Sequence, residues 1–201
     1  MDQVRHCAHG VFNRHIRIAS MAVIKINFIH PQTLQGSFAR RTHIGRAVVD
    51  ASLVLACLAH DAGPGHPERP DRLRAVLTAL DAPEFATLDR RAAPLAELTA
   101  VGRAHEPAYV EAVLAAIPAR GFAALDGDTI VSPGSGEAAL RAAGAACAAI
   151  DAVMAGEATN GFCAVRPPGH HAERGHAMGF CLFDTIAIAA LHARAAHGMS
   201  R

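Results

Sequence analysis

Residues 166–181 read RPPGHHAERGHAMGFC. Two adjacent imidazoles, His170 and His171, follow a Pro-Pro-Gly turn, and His176 and the run Gly179, Phe180, Cys181 come after them. Pro167 and Pro168 fix φ and remove two backbone donors, while Gly169 permits close approach, so the turn is stiff. A stiff turn that delivers two imidazoles suits general acid–base chemistry. One ring takes a proton from a water while the other stabilises the developing charge, and rings this close titrate as a coupled unit. Two rival readings stand beside it. A His-His pair can be a loop dipeptide with no role. Direct metal ligation would use His171 and His176, five residues apart, and no acidic residue stands at a ligand spacing with them.

Such a pair needs an element to hold it. Residues 161–165, GFCAV, read as a buried strand, which puts the pair just beyond a strand's C-terminal end, the edge at which open parallel α/β sheets build their sites. Residues 52–58, SLVLACL, read as a second buried strand. The stretch 59–70, AHDAGPGHPERP, is a shaped loop, and Pro70 opens a helix whose Leu73, Val76, Leu77 and Leu80 share one face. A further helix is expected over about residues 106–117. Ser135 in the turn SPGSG reads as the N-cap of a long Ala-rich helix that stops at Gly156, with Leu140, Cys147, Ile150 and Met154 toward the core. A last helix, about 182–197, carries Ile186, Ile188 and Leu191 and ends at Gly198. Apolar strands alternating with helices predict an α/β fold with a parallel sheet covered on both faces.

With 201 residues, 51% of them hydrophobic, the chain can build one real core. A formal charge of +1 argues against nucleic-acid or membrane-surface binding by bulk electrostatics. Five widely spaced cysteines without a CxxC pair suggest neither a disulfide framework nor a thiolate zinc knot, and so predict a reducing, cytoplasmic setting. No apolar run reaches the length of a membrane span. Composition breaks near residue 47: the preceding stretch holds the only lysine, Lys25, and six of the eleven isoleucines. Residues 1–46 are therefore expected to be a basic leader outside the domain, and 47–201 the domain itself.

The segment RPPGHHAERGHAMGFCLFDTIAIAA (166–190) resembles the core motif of the histone deacetylase family, in the version carried by class II enzymes and acetylpolyamine amidohydrolases. GPGHPERPDRLRAVLTAL (63–80), RAHEPAYVEAV (103–113) and DGDTIVSPGSGEAALRAAGAA (126–146) resemble three further family blocks, in the family's order. The resemblance covers about residues 50–200. It implies a three-layer α/β/α, arginase/deacetylase-like fold and hydrolysis of an acetyl-lysine or acetylated amine by zinc-bound water. By motif position His171 would be the general base and acid, and His170 its electrostatic partner. Gly179 and Phe180 would line the acyl-lysine channel, and His66, Pro67 and Arg69 would lie at its rim.

The same resemblance puts the family's zinc ligands, an Asp, a His and a second Asp, and its catalytic Tyr beyond the segment matching 182–197. The chain ends at Arg201. The expectation is thus the N-terminal half of a deacetylase domain, with zinc required by the complete family member, no zinc ligands here, and no activity by itself. Asp184 is expected to be a helix N-cap and not a ligand, and Tyr109 not the catalytic Tyr. A half-domain would leave an exposed sheet edge open to self-association. Two alternatives belong to other classes: a catalytically silent fragment that binds a partner through that edge, and a metal-binding module built on Cys57, His60 and His66.

Overall fold

The structure, a computed structural model, describes Val23–Asn27, Arg46–Val49 and residues 54–200. Among the described residues two short β-branched stretches come first, and both become strands: β1 (Val23–Asn27) and β2 (Arg46–Val49). Helix α1 (Val54–Ala59) and helix α2 (Pro70–Leu80) follow, then a 3-10 turn at Pro83–Phe85 and strand β3 (Asp89–Arg91). Helices α3 (Leu98–Ala104) and α4 (Pro107–Ala115) precede a hairpin of β4 (Ala123–Ala124) and β5 (Ile130–Val131). Helix α5 (Ser135–Met154), strand β6 (Asn160–Ala164) and helix α6 (Thr185–His197) complete the order. The fold is α/β.

The four-stranded sheet runs β1-β6-β2-β3. Strands β6, β2 and β3 are parallel, as expected, but β1 pairs antiparallel with β6, Val23 opposite Ala164, so the sheet is mixed. Val23–Asn27 lies within residues 1–46; its Val-Ile-Lys-Ile pattern has the β-branched content of a strand, and it pairs with β6. The other residues of 1–45 lie outside the described ones.

One correction concerns SLVLACL. Val54–Ala59 is helical, and the strand sits earlier, at Arg46–Val49. A short apolar run has no period that separates strand from buried helix. Leu and Ala tolerate a helix better than the β-branched Val-Val of β2.

Helix α5 is buried on most of its surface. Thirteen of its twenty residues are buried, largely alanines, whereas Leu140 and Met154 are only half-buried. A helix enclosed on nearly all sides needs small side chains so that α1, α6 and β6 can approach it. One core cluster joins Cys57, Leu73, Ile150, Cys163 and Ala193; the other joins Val101, Val113, Leu182, Phe183 and Ile188. Edge strand β3 is charged: Arg91 binds Asp89 and Glu157, a composition that blunts strand addition.

Candidate active site

The chain leaves β6 at Ala164 and enters the Pro-Pro-Gly turn through Arg166, which is fully buried. Its guanidinium fixes the turn. Arg166 Nε donates to Glu68 Oε1 at 2.7 Å, Nη2 donates to Glu68 Oε2, and Nη1 donates to the carbonyls of Cys57 (2.9 Å) and His60 (2.8 Å). His60 Nε2 lies 3.3 Å from Glu68 Oε2, and its Nδ1 is hydrogen-bonded to Ser135 Oγ at 2.7 Å. Burial alone would push the Glu68 carboxyl up, but hydrogen bonds from His60 and Arg166 outweigh it and hold the group at about 2. The loop after α1 is thereby fastened to the turn after β6.

Beyond that anchor, Gly169 lies against the first turn of α6, its carbonyl accepting from Ile186 N at 3.2 Å, where a side chain would run into Thr185. His170 and His171 follow with ring centroids 4.1 Å apart and planes at 50°. Both are exposed. Partial enclosure, and then the neighbouring His171, lower the pKa of His170 below the ordinary histidine value. The backbone N–H of His170 donates to Cys181 Sγ at 3.4 Å, and burial raises the Cys181 thiol, which stays neutral.

Met178 and Cys181 exchange backbone hydrogen bonds at 3.2 and 3.0 Å, so Gly179 and Phe180 form the two-residue tip of a tight turn with φ of 57° and 70°. Phe180 is the one non-glycine residue at positive φ among the described residues. Such a conformation costs about 1–2 kcal/mol. It is held by Thr129, whose Oγ1 accepts from Phe180 N at 3.1 Å, and by His66, whose ring meets Phe180 edge-on at 4.8 Å. Gly179 packs on His171: a Cβ there would sit 2.8 Å from His171 Cδ2. The structure therefore brings His170, His171, Gly179 and Phe180 together and adds His66 beside them.

Sequence reading missed the supports. Thr129 is buried, and its loop is shaped by Asp126, whose Oδ1 accepts from Asp128 N (2.9 Å) and Thr129 N (2.6 Å). The Asp-Gly-Asp-Thr spelling of that turn was the available signal. His105 is also buried: its Nδ1 is hydrogen-bonded to the Arg174 carbonyl at 3.3 Å and its Nε2 accepts from Asp184 N at 2.8 Å. Burial lowers its pKa and favours this neutral form. Asp184 caps α6 as expected, Oδ1 accepting from Ala187 N at 2.9 Å. Tyr109 donates its hydroxyl to the Leu182 carbonyl at 2.6 Å, and burial raises its pKa well above the ordinary value. Ser135 is the first residue of α5 and not its N-cap, which is Gly134.

Zinc, implied by the resemblance, needs three or four converging ligands. Among the described residues, the His/Cys/Asp/Glu group able to hold an ion is Asp151, His192 and His197, and neither His170 nor His171 belongs to it. The tandem pair therefore does not fit a metal by itself. Cys57, His60 and His66 do not converge either, because His60 is engaged by Glu68 and Ser135 and His66 by Phe180 and the Asp128 carbonyl.

Residues 66–201 match the histone deacetylase domain. The histone deacetylase-like amidohydrolase of Pseudomonas aeruginosa is 40% identical over 163 residues, which are 72% of this chain and 43% of that protein. The human polyamine deacetylase HDAC10 is 49% identical over 69 residues, 34% of this chain and 10% of that protein. The crystal structure of the HD domain of HDA15 superposes with a TM-score of 0.69 at 35% identity, covering 76% of this chain and 44% of the other. The chain thus spans less than half the length of these relatives, and its α/β sheet with the tandem histidines at the end of β6 is part of a deacetylase fold. The chain belongs to the histone deacetylase family.

Proposed function

We propose that these residues supply the acid–base and channel-wall part of a site that hydrolyses an acetyl-lysine or acetylated-amine amide. The observation that carries this reading is the packing of Gly179 on His171, beside the paired ring of His170. His171 takes the proton of the attacking water and returns it to the leaving amine. His170, held below its ordinary pKa, stays neutral at pH 7 and so adds no like charge beside His171 as that ring becomes cationic. Phe180 and the Gly179 backbone present an apolar wall suited to a lysine's four-carbon stem. Two relatives are named for an amidohydrolase and a polyamine deacetylase, which supports this substrate class.

Acid–base catalysis contributes about 10²–10⁴-fold, short of the roughly 10⁶-fold or more by which enzymes accelerate reactions. Residues 1–201 alone are therefore expected to show no hydrolysis above background. The test is a chimera in which the aligned segment of this chain replaces its counterpart in the Pseudomonas amidohydrolase. Hydrolysis of an acetyl-lysine peptide or of an N-acetylated polyamine should be retained. His171→Ala should then lower kcat/KM by about 10²–10⁴-fold with folding unchanged. A folded chimera indifferent to His171→Ala contradicts the proposal.

A further inference from the structure

At the other end of α6 from the tandem pair, two histidines meet one carboxylate. His192 Nε2 lies 2.7 Å and His197 Nε2 2.6 Å from the same oxygen, Asp151 Oδ1 on α5. All three ligand atoms lie within 4.8 Å of one another. Helix spacing does not bring this about: residues five apart on an α-helix diverge by about 140°. The two rings nonetheless turn toward Asp151, edge to face at a centroid separation of 5.9 Å. His192 and His197 are mostly enclosed (16% and 23% side-chain exposure), whereas Asp151 is half open at 50%, which leaves an approach from solvent. The first turn of α6, against Gly169, is about 18 Å from His197 along the helix, so this cluster is separate from the tandem pair.

Two imidazoles and one carboxylate form a donor set matched to borderline divalent transition ions, with metal–nitrogen and metal–oxygen bonds of about 2.0–2.2 Å. In a tetrahedral shell with such bonds adjacent donor atoms stand about 3.3 Å apart, so the separations of 2.6–2.7 Å must open by about 0.7 Å to admit an ion. We propose that Asp151, His192 and His197 bind one zinc-class divalent cation at the protein surface, with water completing the coordination, and so staple the end of α6 to α5. This site is independent of the deacetylase reading and needs none of its residues.

Zinc chloride is the probe. Equilibrium dialysis of the 201-residue chain should show one zinc equivalent that weakens at least tenfold in His192→Gln and in His197→Gln and persists in His171→Gln. Zinc should also raise the melting temperature of the natural chain but of neither α6 variant. A second readout needs no variant: zinc should protect His192 and His197 from diethyl pyrocarbonate, read by peptide mass spectrometry. Zinc uptake unaffected by both α6 substitutions overturns the proposal. So does equal modification of the two rings with and without zinc, which marks the cluster as a hydrogen-bonded carboxylate only.

Discussion

At the scale of single residues, Gly179 is the least replaceable position beside the histidines. Its φ of 57° and the proximity of His171 Cδ2 leave no room for a methyl group. Gly179→Ala is expected to displace the His171 ring and lower kcat/KM of the chimera at least tenfold, with its circular dichroism spectrum unchanged; undiminished turnover contradicts this. Arg166 acts instead on stability. Arg166→Met leaves the Glu68 carboxylate buried without its main partner and should cost about 3–5 kcal/mol in urea unfolding. The double substitution Glu68→Gln with Arg166→Met should recover part of that loss, and no recovery contradicts the pairing. The proximity of His170, His171, Gly179 and Phe180 was legible because all four lie within residues 166–181. The Arg166–Glu68 bond was not, since its partners are 98 residues apart and nothing local to either marks the other.

At the scale of elements, helix ends were legible where local chemistry sets them. Pro70 opens α2, Asp184 caps α6, and Gly198 closes it at φ 64°. Asp184→Ala should cost about 1 kcal/mol, read as a lowered melting midpoint, through loss of the hydrogen bond from Ala187 N. An unchanged midpoint would show that the cap contributes nothing. Short apolar segments were less legible. Val54–Ala59 is a helix because α5 and α2 receive it, and that packing is absent from the local sequence. Likewise the place of β1 in the sheet is set by its partner β6, from 133 residues downstream at the Asn27–Asn160 pair to 141 at the Val23–Ala164 pair. The composition break near residue 47 carried no such pairing information.

At the scale of the whole molecule, one buried network ties α1, the loop before α2, α5 and the turn after β6 together, through Cys57, His60, Glu68, Ser135 and Arg166. Its pH dependence follows from Glu68, whose pKa falls from 4.5 to about 2 on folding. A depressed carboxylate stabilises fully above 4.5 and loses that contribution as pH falls toward 2, on the order of 3 kcal/mol. The urea midpoint should drop across this window, and Glu68→Gln should flatten the dependence; an equal slope in both proteins contradicts it. The central claim, that His170 and His171 form one acid–base unit, is tested most directly by NMR titration of the histidine rings in the 201-residue chain. His170 should titrate below an isolated histidine, and His171→Gln should return it partway, since enclosure persists while the neighbouring charge is gone. A His170 ring that titrates at the ordinary value, unmoved by the substitution, would contradict the account.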